Sequence, residues 1–394
     1  MHTEVNEAPA RSLHTSWQAI FEDGTARHSG GSPPAFTLRV ADPESLERIL
    51  SADSYTAAMA YLRGEFEIEG DLREAIRFKG WRAASRWRRH WLATIARCAT
   101  LCECLLQSKT QTQRCIRFHY DRSNDFYRLF LDPRMVYSCA YFPEPHATLE
   151  QAQLAKLEHV CRKLDLQPGE RFLDIGCGWG ALVEHAAAHG AEATGCTVSR
   201  AQYEHASSRG NGRLSIREQD YREITGRFDK IASVGMFEHV GLRRAPAYFR
   251  KIAQLLRPRG LFLNHAIARQ EGVFDDAASL FVRRRIFPGG QLIHLHQTIR
   301  AAEQAGFEVL DVEDLRPHYA RTCALWEQRL AAQREAALRL VDQATFRAWR
   351  IWLAASSLSF EEGFSSIYQI LMAKRGAPRA RWTREYMYHS ADPA

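Results

Sequence analysis

Apolar residues recur with two different periods along this chain. In Phe36-Thr37-Leu38-Arg39-Val40 they alternate, which predicts a strand with one buried face, while Pro43–Leu50 has the spacing of a short helix. With the loop His28-Ser29-Gly30-Gly31-Ser32-Pro33-Pro34, these predict a small α+β module ahead of about residue 80. From about Leu149 the pattern becomes alternating helix and strand. Leu154, Leu157, Val160, Cys161 and Leu164 predict a helix. Short apolar runs at Arg171–Ile175, Ala193–Val198, Leu214–Arg217, Lys230–Val234 and Gly260–Ile267 predict strands, with helical segments between most of them. Such alternation predicts a parallel sheet covered on both faces, with its ligand at the carboxyl ends of the strands. Phe307–Leu315, a helical insert from Ala324 to about Phe360, and the run Ile367–Met372 complete the pattern.

Composition narrows the setting. At 394 residues the chain is long enough for one large domain and a smaller one. No apolar run approaches the roughly 18 residues needed to span a bilayer, and the start Met1-His2-Thr3-Glu4-Val5 lacks a secretory pattern. Nine irregularly spaced cysteines fit a reducing cytoplasm better than a disulfide framework. Cys98, Cys102 and Cys104 have no second half with paired Cys or His, so they read as free thiols rather than metal ligands. The net charge of +7 is unevenly spread. Arg73, Arg77, Lys79, Arg82, Arg86, Arg88, Arg89 and Arg97 face a single Glu74, with Trp81, Trp87 and Trp91 interleaved. That mixture suits an anionic membrane surface; a nucleic-acid backbone or a solvated helix face are the alternatives.

The most informative stretch is Phe172-Leu173-Asp174-Ile175-Gly176-Cys177-Gly178-Trp179-Gly180, a buried strand running into a glycine turn that opens a helix. A dinucleotide site wants Gly-x-Gly-x-x-Gly and an acid about 20 positions on. Here the spacing is Gly-x-Gly-x-Gly, and the next strand, Ala193–Ser199, ends without a carboxylate. With Asp174 at the strand tip, the loop resembles motif I of the class I methyltransferases, which bind S-adenosylmethionine (SAM).

Other segments sharpen the resemblance. Upstream lie His119-Tyr120-Asp121-Arg122-Ser123-Asn124-Asp125-Phe126-Tyr127 and Leu131-Asp132-Pro133-Arg134-Met135-Val136-Tyr137-Ser138-Cys139-Ala140-Tyr141-Phe142. Downstream lie Ser233–Gly241, Asn264-His265-Ala266-Ile267, Ile286-Phe287-Pro288-Gly289-Gly290 and Arg316-Pro317-His318-Tyr319. Together these resemble the cyclopropane-fatty-acyl-phospholipid synthases and the related mycolic acid cyclopropane synthases, in order from His119 to the C-terminus. The first hundred residues resemble more loosely the N-terminal domain of the phospholipid-acting members, through Tyr61–Phe66 and Gly70-Asp71-Leu72. The resemblance implies an α/β class I SAM-dependent methyltransferase fold, Rossmann-like, with a mostly parallel seven-stranded sheet whose last strand is antiparallel. It also implies a small lipid- or membrane-associated α+β domain over 1–80, a basic, Trp-rich linker helix over 81–116 and a catalytic domain over 117–394.

Residue by residue, the resemblance places Gly176 and Gly178 against the methionine part of SAM, beside Asp174, with Tyr137 and Ser138 closing over it. Thr197 and Gln202 would hold the ribose, and Asp220 and Tyr221 would meet the adenine. Glu238, His265 and Tyr319, with the backbone near Cys139 and Ile267, would hold a bicarbonate ion. The implied reaction moves a methyl carbon from SAM to the cis double bond of a phospholipid acyl chain and closes a cyclopropane ring. The implied setting is the inner face of the membrane, peripherally associated, with a homodimer possible. Rival readings are a C-methyltransferase of the same fold that gives a methyl-branched, methylene or hydroxylated chain, a nucleic-acid methyltransferase, and a lipid-binding protein without activity. The nucleic-acid reading lacks its usual Asn/Asp-Pro-Pro-aromatic segment, because Ser233–Glu238 contains no proline.

Overall fold

The computed structural model describes residues 15–78, 123–209, 214–273, 276–379 and 381–388. The basic, Trp-rich stretch from Lys79 on, Cys98, Cys102, Cys104 and His119–Arg122 lie outside them.

The first unit is a four-stranded sheet of β1 (Trp17–Phe21), β2 (Ala26–Ser29), β3 (Phe36–Val40) and β4 (Phe66–Gly70), in the order β2-β1-β3-β4. The alternation in Phe36–Val40 does bury Phe36, Leu38 and Val40. Helices Pro43–Leu50 and Ser54–Arg63 join β3 to β4, each started by an aspartate that accepts from a first-turn amide: Asp42 from Ser45 at 2.7 Å and Asp53 from Thr56 at 2.9 Å.

The second sheet contains β5 (Arg171–Ile175), β6 (Glu192–Thr197), β7 (Leu214–Glu218), β8 (Phe228–Val234), β9 (Leu256–Arg269), β10 (Ile293–His294), β11 (Phe307–Asp314) and β12 (Ser365–Lys374). Its order is β11-β12-β9-β8-β5-β6-β7, with β12 antiparallel to both neighbours, the arrangement of a class I methyltransferase. The two-residue β10, parallel to β9, is an eighth strand beyond the expected seven.

Two boundaries and one burial differ from expectation for identifiable reasons. β9 begins at Leu256 rather than Gly260, because Leu256 pairs with Phe228 across an irregularity in register. The helical insert begins at Arg316, not Ala324, since Pro317 sits in the first turn, where its missing N–H is harmless. Leu154 is 39% exposed instead of buried. Helix Leu149–Lys163 turns Gln153, Lys156, His159 and Lys163 inward instead, each with a polar partner: Gln153 with the Ser138 carbonyl, Lys156 with the Ser138 hydroxyl, His159 with Glu313 and Lys163 with Asp311.

The first unit shares a continuous apolar core with the helical insert, since Trp17, Leu38, Tyr61 and Phe66 belong to the same cluster as Phe126, Trp326 and Trp349. Helix Gln343–Glu361 fastens the two. Arg347 donates to the Tyr61 carbonyl at 2.9 Å and pairs with Glu67. Arg73 pairs with Glu361, and Arg77 with Glu74, Glu361 and Glu362. The first two cations of the basic stretch are thus neutralised within the chain, a correction to reading the whole run as a face for an anionic surface. Arg347→Met is expected to lower stability by about 1–3 kcal/mol by removing the charge-assisted hydrogen bond to the Tyr61 carbonyl and the pairing with Glu67, measured as a fall in thermal midpoint.

Candidate functional site

At the carboxyl end of β5 the chain makes three residues with positive φ: Gly176 (+78°), Gly178 (+55°) and Gly180 (+93°). The amides of Gly176 and Cys177 both donate to the Cys196 carbonyl, at 2.9 and 3.0 Å, which pins the loop to β6. The glycines serve different ends. A Cβ on Gly176 would lie 2.8 Å from Met236 Cγ, whereas one on Gly178 would meet nothing within 4 Å, because that position opens onto a cleft. Helix Ala181–Ala188 follows with no side-chain cap on its first turn, so those amides are not taken by a side chain.

All nine positions assigned to a cofactor by resemblance line this cleft: Tyr137, Ser138, Asp174, Gly176, Gly178, Thr197, Gln202, Asp220 and Tyr221. Thr197, at the end of β6, donates to Gln202 Oε1 at 2.8 Å and accepts from the Ser199 amide at 3.2 Å, so two neutral polar residues fill the place of the missing carboxylate. Asp220 presents a different picture from a free acceptor. Arg222, also on the cleft wall, donates from Nε to Oδ1 at 2.8 Å and from its guanidinium to Oδ2 at 2.6 Å. Tyr221 packs edge-on against Tyr248 at 5.6 Å, and burial pushes its hydroxyl up to about 12. Tyr137 is held among Tyr127, Trp326 and Trp349 at 5.2 to 6.2 Å between ring centroids.

A charged pair underlies the cleft. Asp174 is buried with Oδ1 lacking a hydrogen-bond partner, and burial raises its carboxyl to about 7, partly offset by the Lys156 ammonium. Lys156, 2% exposed, donates to Ser138 Oγ at 2.9 Å. Burial lowers it to about 8 against the upward pull of Asp132, Asp174 and Cys139. His239, which stacks on Phe287 at 5.2 Å on the cleft wall, is lowered to about 4 by burial.

The five residues assigned to the reaction do not line the cleft; they gather behind it. Glu238 Oε1 accepts from the Ile267 amide at 2.7 Å, so that amide orients Glu238. Cys139, fully buried, donates weakly to the Leu315 carbonyl at 3.9 Å, and the Tyr319 amide donates to the same carbonyl at 3.1 Å. The Leu315 amide in turn donates to Ile367, the β12 partner of Ile267. Cys139, Glu238, Ile267 and Tyr319 are thus linked through β9, β12 and the start of helix Arg316–Ala332, and His265, also on β9, joins through Gln369 of β12. Gln369 Nε2 lies 3.1 Å from His265 Nδ1, and with the amide as donor the ring proton sits on Nε2. Tyr319 packs against Phe360 at 4.6 Å.

Burial shapes the chemistry of this group. It lifts Glu238 to about 7, lowers His265 well below its usual range and holds Cys139 as a thiol, which excludes a thiolate nucleophile. Glu238 Oε2 and His265 Nε2 are both buried without a hydrogen-bond partner. One free acceptor and one free donor match a small anion that carries both an oxyanion and a hydroxyl, and bicarbonate is such an ion.

Two contributors escape sequence reasoning. Gln369 is the lone polar residue in the apolar run Ile367–Met372, directly opposite His265, and that isolation is its signal. Lys156 falls among apolar helical positions, where a lysine with no surface role is the corresponding sign.

The sequence model of the mycolic acid cyclopropane synthetase family matches residues 107–370. A probable fatty acid methyltransferase of Pseudomonas putida is 37% identical over 404 residues, which cover 96% of this chain and 98% of that one. The cyclopropane-fatty-acyl-phospholipid synthase of Escherichia coli (strain K12) is 34% identical over 349 residues, 87% of this chain and 89% of that one. Among solved structures, mycolic acid cyclopropane synthase CmaA1 complexed with SAH and CTAB aligns with TM-score 0.64 and 33% identity, covering 66% of this chain and 98% of that one.

Proposed function

This chain belongs to the mycolic acid cyclopropane synthetase family of SAM-dependent methyltransferases, and on that premise we propose that it transfers the methyl carbon of SAM to the cis double bond of a phospholipid acyl chain and closes a cyclopropane ring. The observation that carries this reading is the pair of unpartnered buried atoms, Glu238 Oε2 and His265 Nε2, beside a cleft lined by every expected SAM position.

SAM, when bound, supplies an electrophilic methyl group. The protein's part is to align it, because an alkene needs no deprotonation before it attacks. Gly178 lets the backbone approach the donor, Thr197 and Gln202 take the ribose, and Asp174 takes the ammonium of the methionine part. Methyl transfer leaves positive charge on the acyl chain, which water would trap, so the buried aromatic surroundings of Tyr137 serve to keep the acceptor dry. Glu238, His265 and Tyr319 would hold bicarbonate, which would supply the base for the proton lost on ring closure. Neutral His265 donates from Nε2, and Glu238 accepts and orients.

We place the substrate in unsaturated phospholipid at the inner face of the membrane, reached by peripheral association through the unit over 1–80. No helix among the described residues is long and apolar enough to cross a membrane. A homodimer fits this reading but is not required by it. The Pseudomonas putida relative favours a second reading, a C-methyltransferase that ends in a methyl-branched, methylene or hydroxylated chain.

The deciding experiment incubates the protein with labelled SAM and unsaturated phospholipid vesicles, then determines fatty-acid structure by fragmentation or NMR, because cyclopropane and methylene products share a mass. Label in a cyclopropane carbon is expected; label in a branched methyl selects the second reading, and unlabelled lipid overturns both. At the loop, Gly176→Ala forces a Cβ into a positive-φ position and onto Met236. Calorimetry is expected to show SAM binding weakened by about 1–3 kcal/mol.

A further inference from the structure

On the far side of the helix that follows the glycine loop, three side chains converge outside the site just described. Glu158, on helix Leu149–Lys163, brings Oε2 to 3.1 Å from His185 Nε2 and 3.0 Å from His189 Nε2. The three atoms all lie within 4.8 Å of one another. We propose that Glu158, His185 and His189 form a binding site for a divalent transition ion of the zinc class, which clamps helix Ala181–Ala188 to helix Leu149–Lys163.

The hydrogen bonding of His189 supports this. Its Nδ1 lies 2.9 Å from the His185 carbonyl, which can only accept, so Nδ1 carries the proton. In a neutral ring Nε2 is then a lone pair, and it points at a carboxylate oxygen 3.0 Å away. Two electron-rich atoms at that distance need a positive centre between them, either a proton on the ring or a metal ion, and the convergence of a third ligand atom on the same point favours the metal. A second imidazole nitrogen reaches the same oxygen, so the cation has three ligands rather than two. Adjacent ligands on a tetrahedral zinc ion stand roughly 3.3 Å apart, close to the separations seen.

The surroundings fit the same ion. An Nδ1–H bonded to a backbone carbonyl is the usual support for a histidine that binds metal through Nε2. Histidines four apart on a helix face the same way, so the pair chelates without rearranging the backbone. Arg162 donates to Glu158 Oε1 at 2.8 Å, which orients the carboxylate and leaves Oε2 to the ion. One carboxylate beside a guanidinium is a poor site for calcium or magnesium, which want several oxygens, whereas two imidazoles suit zinc, copper, nickel or cobalt. The His189 side chain is 37% exposed, which leaves an entry path and room for a water as fourth ligand.

The test uses the full chain, freed of metal by a chelator and dialysis, titrated with ZnCl2 by calorimetry and with Co2+ by visible absorption. A saturable zinc site, a raised thermal midpoint and tetrahedral cobalt bands are expected. H185A/H189A should weaken zinc binding at least tenfold. H294A/H296A should not, and it controls for the other cluster, where His294 and His296 lie 3.8 and 3.7 Å from the exposed Glu271. If the double variant does not fold, H189Q, at the exposed ligand, gives the same reading. Absence of saturable binding, or affinity unchanged in the variants, overturns the proposal. So does an NMR spectrum in which Nε2 of His189 carries a proton in excess zinc, since a proton would then bridge to the carboxylate.

Discussion

Glutamine in place of Glu238 is expected to lower turnover at saturating SAM by about 10²–10³-fold, with SAM affinity nearly unchanged. The separation follows from position. Glu238 lies outside the cofactor cleft, held by the Ile267 amide, while its neighbour His239 lines that cleft. The substitution keeps shape and the Ile267 hydrogen bond but removes the anion that accepts and orients. Burial lifts Glu238 to about 7, so it is ionised above that pH and protonated below it. Turnover should therefore rise as pH passes upward through about 7, and this limb should vanish in Glu238→Gln. Turnover equal to wild type in the variant would remove Glu238 from the mechanism.

Asparagine in place of Asp174 should act on the other half of the reaction. It is expected to weaken SAM binding about 10–100-fold, the loss of a charge-assisted bond to the ligand's ammonium. Burial raises Asp174 to about 7, so the carboxylate is available only above that pH, and SAM affinity in the wild type should climb through the same interval. Lys156 opposes this rise by favouring the charged form. Lys156→Met should therefore move the midpoint of the affinity profile upward, and Asp174→Asn should flatten it. Because both carboxylates titrate near 7, the readouts must differ. Affinity by calorimetry reports Asp174, and kcat at saturating SAM reports Glu238. An affinity profile unchanged in Asp174→Asn would place the ammonium elsewhere.

Much of this was legible because chain pattern and local backbone agree. The run Arg171–Ile175 is a strand to the residue, and the glycine turn expected after it is there, with positive φ at Gly176, Gly178 and Gly180. What escaped notice are the places where a polar residue stands in an apolar role. Helix Leu149–Lys163 buries Lys156 and Lys163 and exposes Leu154, since each buried cation finds a partner from another element, which periodicity cannot show. Pro317 reads as a break but begins a helix, because a first-turn proline loses nothing. The family resemblance grouped Asp220 with the adenine. Its pairing with Arg222 depends on two residues of the same turn and is visible only in three dimensions.

The partition between donor cleft and the group behind it is one residue thick at two places. Ser138 faces the cleft while Cys139 is buried behind it, and His239 faces the cleft while Glu238 stands behind. Which chamber a side chain enters is therefore set by register alone. Substitutions in these segments alter one chamber at a time, but inserting or deleting a single residue would exchange their contents. Both segments are therefore bound to keep their length, and a substitution at Cys139 or Glu238 acts on the acceptor side while Ser138 and His239 keep their places on the donor side.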